Sequence, residues 1–434
     1  MMGDMAPKSE GKKSDNKSKK SSEYVSSEES WEKDPKIWVP RVSKNNESWV
    51  PGYDFFLNCF MRFDSSFVII LILENISFGL WILVTLSAQD LFKAYLNQEP
   101  GDMAVYTALI SLPWSLKLFY GLITDNVKIF GLRRKPYLIF FGFLQFIVMS
   151  ILFWYDHDSA LEVTLYLMVA SLSMAFSNVV VDAILVIQSR KDPFLGSQDL
   201  LSVSWLFQGI AGVLGCVIAG YTMERYHPRY AFLGYGIYTL LLAIACFWLS
   251  ADAERIYLDG EEIYVSEYSS ELLSGQTPSE AMEARRLVKE ARPPPGEEGF
   301  WQNFKSNMKQ IWITLQRSEV YCIVIYFILD GFTNPSFADF SYFFLINVIG
   351  VSKFMFAMIT LIGQVCSVIG VIIYGAFLRK VEVRWVLFWN VVINVIGSFL
   401  NYCFAMRWNL ECGISDMAFI IFSDVVFGAL STAF

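Results

Sequence analysis

The sequence predicts an all-α integral membrane protein, with six spanning helices in an N-terminal half and four in a C-terminal half. Three observations predict it. Of 434 residues, 54% are hydrophobic, and the mean hydropathy is +0.41, high for a soluble chain of this size. The apolar residues fall in long runs, several of them reaching the roughly 20 residues a helix needs to cross hydrocarbon. The short connections after alternate runs carry clusters of Lys and Arg.

Residues 1–52 form a Lys-, Ser- and Glu-rich segment with little apolar content, predicted to be disordered and cytoplasmic. No signal-peptide core precedes the first span. Tyr53 to Phe63 is aromatic and amphipathic, an interfacial lead-in. Residues 53–250 then hold six spans. Span 1 covers Phe67 to Ala88 and contains Glu74 and Asn75. Span 2 covers Met103 to Ile123 and contains Trp114, Lys117 and Gly121. Span 3 covers Pro136 to Tyr155. Span 4, Leu161 to Gln188, contains Asp182. Span 5, Leu200 to Tyr221, carries Gly209, Gly212, Gly215 and Gly220, whose spacing allows close helix crossing. Span 6 covers Tyr230 to Leu249.

Residues 251–318 break the hydrophobicity and read as a polar cytoplasmic connector. Its last part, Phe300 to Leu315, places Trp301, Phe304, Met308, Ile311, Trp312 and Leu315 on one helical face, as in a helix lying on the membrane surface. A calmodulin-type target is the alternative reading of that face. Residues 319–434 hold four more spans. Span 7, Val320 to Ile349, is interrupted by Gly331, Asn334-Pro335 and Asp339. Span 8 covers Phe354 to Leu378, span 9 Trp385 to Met406, and span 10 Met417 to Phe434. The basic connections after spans 2, 4 and 8 place that end, and both termini, in the cytoplasm.

The two halves share short sequence matches. Phe176-Ser177-Asn178-Val179-Val180 in span 4 returns as Phe422-Ser423-Asp424-Val425-Val426 in span 10, 246 positions later. Tyr120-Gly121 returns as Tyr374-Gly375, 254 positions later, again before a basic turn. Near-equal offsets at equivalent spans predict a duplicated half. A full second half would hold two further helices, 11 and 12.

The composition also excludes classes of function. Net charge is −8, and the basic residues are loop clusters rather than a face, so nucleic acid is not an expected partner. Seven cysteines lie mostly inside apolar runs, as buried thiols do. The two histidines, His157 and His227, are in loops, and no metal-ligand spacing, phosphate loop or nucleophile–base pair is present. Neither an enzyme nor a bound cofactor is expected.

Between spans 2 and 3 runs Leu112-Pro113-Trp114-Ser115-Leu116-Lys117, Tyr120-Gly121, Asp125, Ile129-Phe130-Gly131, Arg133-Arg134 and Pro136-Tyr137. This stretch resembles the signature of the folate–biopterin transporter family, a branch of the major facilitator superfamily. The resemblance implies a major-facilitator-type fold and secondary active transport of folate- or pteridine-like organic anions by alternating access, with protons as the coupling ion. Spans 1, 4, 7 and 10 would line one cavity. The alternative is a non-transporting membrane-complex subunit, with protein partners or lipid at the face left by helices 11 and 12.

An ionisable group at the hydrocarbon centre costs about 2.5–3.5 kcal/mol on insertion scales, so such groups usually face a bundle interior or water. The candidates for substrate binding are therefore Glu74, Asn75, Trp114, Lys117, Asp330, Asn334 and Asp424. Lys117 serves either as counter-charge to an anionic substrate or as a snorkelling or Asp182-paired structural cation. Glu74 either meets a pterin ring or is buried and neutral. Asp182 is a candidate proton-coupling carboxylate or part of a cytoplasmic charge lock, the alternative being a purely structural pair. Gly121, Asp125, Arg133 and Arg134 are the candidate gating residues, with Gly121 expected to admit a neighbouring backbone and Asp125 to bond an arginine. Asp339 falls in span 7 or in the loop after it.

Overall fold

A computed structural model describes residues 59–127, 129–130, 132, 134–189, 196–250, 300–333, 337–377 and 383–423. The expectations for residues 1–52, for most of the 251–318 connector, and for Gly131, Arg133, Asn334 and Asp424 lie outside these residues. The described chain is almost wholly helical. Seven helices among the described residues are long and apolar enough to cross a membrane: Ser65–Tyr95, Lys135–Trp154, Ala160–Ser189, Gly196–Arg225, Arg229–Trp248, Lys353–Gly370 and Arg384–Ala405. They correspond to predicted spans 1, 3, 4, 5, 6, 8 and 9. Span 10 is described as helix over 416–423.

Span 1 starts where Asp64 caps its helix, the carboxylate accepting the Phe67 N–H at 3.0 Å. Its far end passes predicted Ala88 and widens into a π turn, Leu91–Tyr95, so Gln89, Asp90 and Lys93 belong to the span rather than to a loop. The span lies along spans 5 and 6. Gly79 makes that crossing possible. A Cβ there would collide with the Gln208 carbonyl oxygen and lie 2.7 Å from Ala211 Cβ and 2.9 Å from Gly212 N. On its other side span 5 meets span 8, where Cβ atoms on Gly212 and Gly220 would lie 3.0 Å from Gln364 Oε1 and Ala357 Cβ. The small-residue reading of span 5 therefore holds at both faces.

Span 2 is not one helix. Pro113 cannot donate an N–H, and the helix Pro100–Ser115 ends two residues later. The Pro113 carbonyl accepts from the Leu116 N–H at 3.1 Å and from the Tyr120 hydroxyl at 3.0 Å. A second helix, Lys117–Asn126, starts directly after the break. Span 7 is interrupted as expected, with helices Ser318–Thr333 and Ala338–Phe344, the latter continued by a π turn Leu345–Ile349. The amphipathic segment is a helix over Phe300–Leu315 that touches the Lys117–Asn126 helix and leaves Trp312 exposed.

One core cluster lies toward the end opposite the basic loops. Phe92, Met103, Met149, Leu167, Phe232 and Tyr235 are buried there together with Tyr342 and Phe343 of span 7. Many apolar side chains point outward along the spans, among them Phe140, Ile147, Ile237 and Leu241, as expected where lipid replaces water.

Candidate functional site

The Pro113 break sets Lys117 at the first position of a helix facing span 4. Its ammonium donates to Asn178 Oδ1 at 2.6 Å and stands 4.3 Å from the Trp114 ring centroid. Trp114 in turn meets Phe78 of span 1 edge to face, with centroids 5.3 Å apart. Asn178 and Asp182 are four apart on span 4 and share a face. Asp182 is exposed and lies within electrostatic range of both Lys117 and Glu74. Spans 1, 2 and 4 thus bring a cation, two carboxylates, an amide and an indole into one seam. The direct partner of Lys117 is Asn178, not Asp182. A hydrogen bond to a neutral amide leaves the ammonium's charge uncompensated at that contact, so it remains able to attract an anion.

Glu74 is buried at 5% exposure. Its electrostatic neighbours include Tyr235, Tyr238 and Cys246 of span 6. Next to it the Tyr235 hydroxyl bonds Ser77 Oγ and the Gln145 side-chain amide, each at 3.0 Å. Glu74 therefore sits inside the first six spans, against span 6. Asn75 donates back to the Leu71 carbonyl at 2.8 Å, which commits one amide proton to its own helix. The side chains of Asp330, Asn334 and Asp424 are not among those described.

At the basic end, Arg134 is buried and its Nη2 lies 3.5 Å from Asp125 Oδ1. Aromatic stacking holds the connection in place. Phe176 of span 4 meets Tyr120, Tyr137 and Phe141 at centroid distances of 5.0, 5.4 and 4.1 Å. The turn closes by paired backbone bonds between Ile129 and Leu132, with Phe130 at φ 53°. At Gly121, among the described residues, a Cβ would meet only Val179 Cγ1, at 3.7 Å, and no backbone atom within 4 Å. Lys135 caps span 6 by donating to the Phe247 and Leu249 carbonyls at 2.7 and 2.8 Å.

A second polar cluster, at the opposite end, was not anticipated. Buried Asp90 of span 1 pairs with Lys353, the first residue of the span 8 helix, at 2.7 Å. Gln89 donates to Asp339 of span 7 at 3.1 Å, and Asp339 is buried in a helix rather than in a loop. Lys93 stands over the rings of Tyr342 and Phe343 at 5.4 and 5.2 Å. These contacts join the first six spans to the later ones. A polar pair just past an apolar run reads as loop in the sequence, but the span 1 α-helix continues through Gln89 and Asp90 and carries both into the protein.

Broken spans, polar groups facing one another among apolar helices, and side-chain contacts joining the first six spans to the later ones describe a polytopic membrane protein, and its fold is of the major-facilitator type. The solved major facilitator superfamily proton:xylose symporter XylE, bound to 6-bromo-6-deoxy-D-glucose, is similar over 85% of this chain and 80% of its own, with a TM-score of 0.52 and 12% identity. That likeness carries the fold alone. The chain belongs to the BT1 family, whose profile matches residues 79–433. Its relatives include the folate-biopterin transporter of Synechocystis, 24% identical over 80% of this chain, and folate transporter 2 of Plasmodium falciparum, 23% identical over 84%. The chain spans 62% of the length of the first and 70% of the second. Both are named as transporters.

Proposed function

We propose that this chain is a secondary active transporter of folate- or pteridine-like organic anions, working by alternating access and coupled to protons. The single observation that carries the reading is Lys117. Its ammonium sits at the break in predicted span 2, bonded to a neutral amide and set against an indole, with an exposed carboxylate nearby. That set suits a flat ring bearing a carboxylate tail: Trp114 offers a stacking face, Lys117 a counter-charge, and Asp182 a proton acceptor whose ionisation responds to the charge bound beside it. The family membership and the names of the relatives support the substrate class.

In this reading the basic end, with Asp125 and Arg134, faces the cytoplasm, and the Asp90–Lys353 end faces outward and is closed. Asp125–Arg134 then belongs to the inner gate, and Asp330, Asn334 and Asp424 belong to the second half's contribution to the pathway. Uptake of labelled folate and of a labelled pterin into proteoliposomes, at several external pH values, tests the proposal. Uptake should rise with an inward proton gradient and fall at least tenfold in Lys117→Met and Asp182→Asn. Uptake indifferent to both substitutions would overturn it.

A further inference from the structure

The chain has two histidines, and the fold brings both into one cleft at the end that carries the Asp90–Lys353 closure. The cleft has a volume of about 420 Å³, and its lining includes Tyr95, Asp156, His157, His227 and Arg229. His227 Nδ1 accepts two hydrogen bonds from Arg229, one from the backbone N–H at 3.2 Å and one from Nε at 3.3 Å. A ring nitrogen that accepts carries no proton, so this arrangement requires the neutral ring. The imidazole lies against Tyr95, with ring centroids 4.2 Å apart. Tyr95 ends the π turn that follows Asp90 and contains Lys93, and the Lys353 ammonium lies over its ring at 5.8 Å. His227 therefore touches the same ring as the cation of the closure.

We propose that His227 is a proton-sensitive element of this closure: a proton on Nδ1 expels both Arg229 donors and loosens the Tyr95–Lys353–Asp90 contact that joins the two parts of the bundle. The groups facing it set the direction. Span 1 contributes Tyr95. The turn between spans 3 and 4 contributes Asp156, His157 and Asp158. The start of span 6 contributes Arg229, paired with Asp156, and the start of span 8 contributes Lys353. Burial, then Arg229, and further out Lys353 hold His227 below the ordinary imidazole value, with Asp156 opposing. The neutral, closed arrangement is thus the one at neutral pH, and the change comes below about 6.5. His157 differs in kind. It faces Glu162 at 3.0 Å, so a proton there adds an attraction and breaks no acceptor contact.

The consequence for transport rests on the proposed function, since acid on the outer side would then favour the outward-open state. The test does not need transport. Spin labels are placed on exposed Leu161, at the start of span 4, and exposed Val348, at the end of span 7, after Cys322, Cys403 and Cys412 are changed to Ser. Distances are measured by electron–electron resonance on the reconstituted chain at pH 7.5 and pH 5.5. The long-distance population should at least double on acidification in the parent and in His157→Gln, and stay constant in His227→Gln. His227→Asn serves as the second neutral variant should the first fold poorly. An unchanged parent, or a His227→Gln variant that still responds, overturns the proposal. Either result leaves the Lys117 reading standing, because that reading is tested by uptake.

Discussion

Asp90 and Lys353 meet across the join between span 1 and span 8, ammonium to carboxylate at 2.7 Å, with the Asp90 side chain 1% exposed. Removing one partner of a buried pair costs about 3–5 kcal/mol, because the other charge is left uncompensated. Lys353 keeps a third of its surface, so the lower end of that range applies. Lys353→Met, which strands the buried carboxylate, is expected to lower the thermal unfolding midpoint more than Asp90→Asn does. The exchange Asp90→Lys with Lys353→Asp should recover part of the loss. Thermal unfolding of the purified variants checks the order, and equal midpoints for both single variants would contradict it.

Two glycines carry opposite expectations. Gly79 faces backbone: its added Cβ would meet the Gln208 carbonyl and lie 2.9 Å from Gly212 N, and neither can move without shifting a helix. Overpacking of this kind costs about 1–3 kcal/mol or more. Gly79→Ala is therefore expected to reduce the yield of folded protein sharply. Gly121→Ala meets one side chain at ordinary contact distance and gains up to about 1 kcal/mol of helix propensity. Size-exclusion profiles of the two variants decide the matter, with Gly121→Ala matching the parent.

That contrast also marks what the sequence makes legible. Span positions follow hydrophobicity, and the basic turns follow Lys and Arg, because both reflect transfer between water and lipid. The Asp125–Arg134 pair was readable because a carboxylate and two arginines stand within ten residues of each other. A glycine in a sequence does not reveal what lies opposite it: Gly79, outside any motif, faces backbone, while the motif glycine Gly121 meets only one side chain among the described residues. The break at Lys117 follows from Pro113, yet the apolar run hides it. Asp90, Lys353 and the Gln89–Asp339 bond join residues some 250 positions apart, and no local pattern encodes such a pairing.

The internal repeat supplies a prediction about Lys117. Asn178 stands where the second half has Asp424. Asn178→Asp would give Lys117 a charged partner at the present 2.6 Å contact and satisfy it internally. An anionic substrate would then compete with a carboxylate already in place. The half-saturation concentration for folate uptake is expected to rise about tenfold, equivalent to roughly 1.4 kcal/mol, with folding intact. Asn178→Leu instead leaves the ammonium unbonded and should lower stability by about 1–3 kcal/mol. Uptake kinetics together with unfolding midpoints separate the two effects.

His227 predicts how stability itself depends on pH. Burial, with Arg229 and Lys353, keeps the folded-state value below that of the free imidazole. Between the two values an unfolded chain binds a proton that the folded chain resists. The contribution of the neutral ring is therefore complete above about 6.5 and is lost as the pH falls through the lowered value. Asp156 acts in the same sense but in a more acidic window, since the hydrogen bond and charge of Arg229 hold its carboxyl below the usual range. It should not contribute between pH 7 and pH 5.5. The unfolding midpoint of the parent is thus expected to fall over that interval, by less than about 1 kcal/mol equivalent because the ring is partly exposed. His227→Gln should flatten the dependence, while Asp156→Asn should leave its slope unchanged. Thermal scans at half-unit pH steps measure it, and a His227→Gln curve as steep as the parent's would place the acid sensitivity in another group.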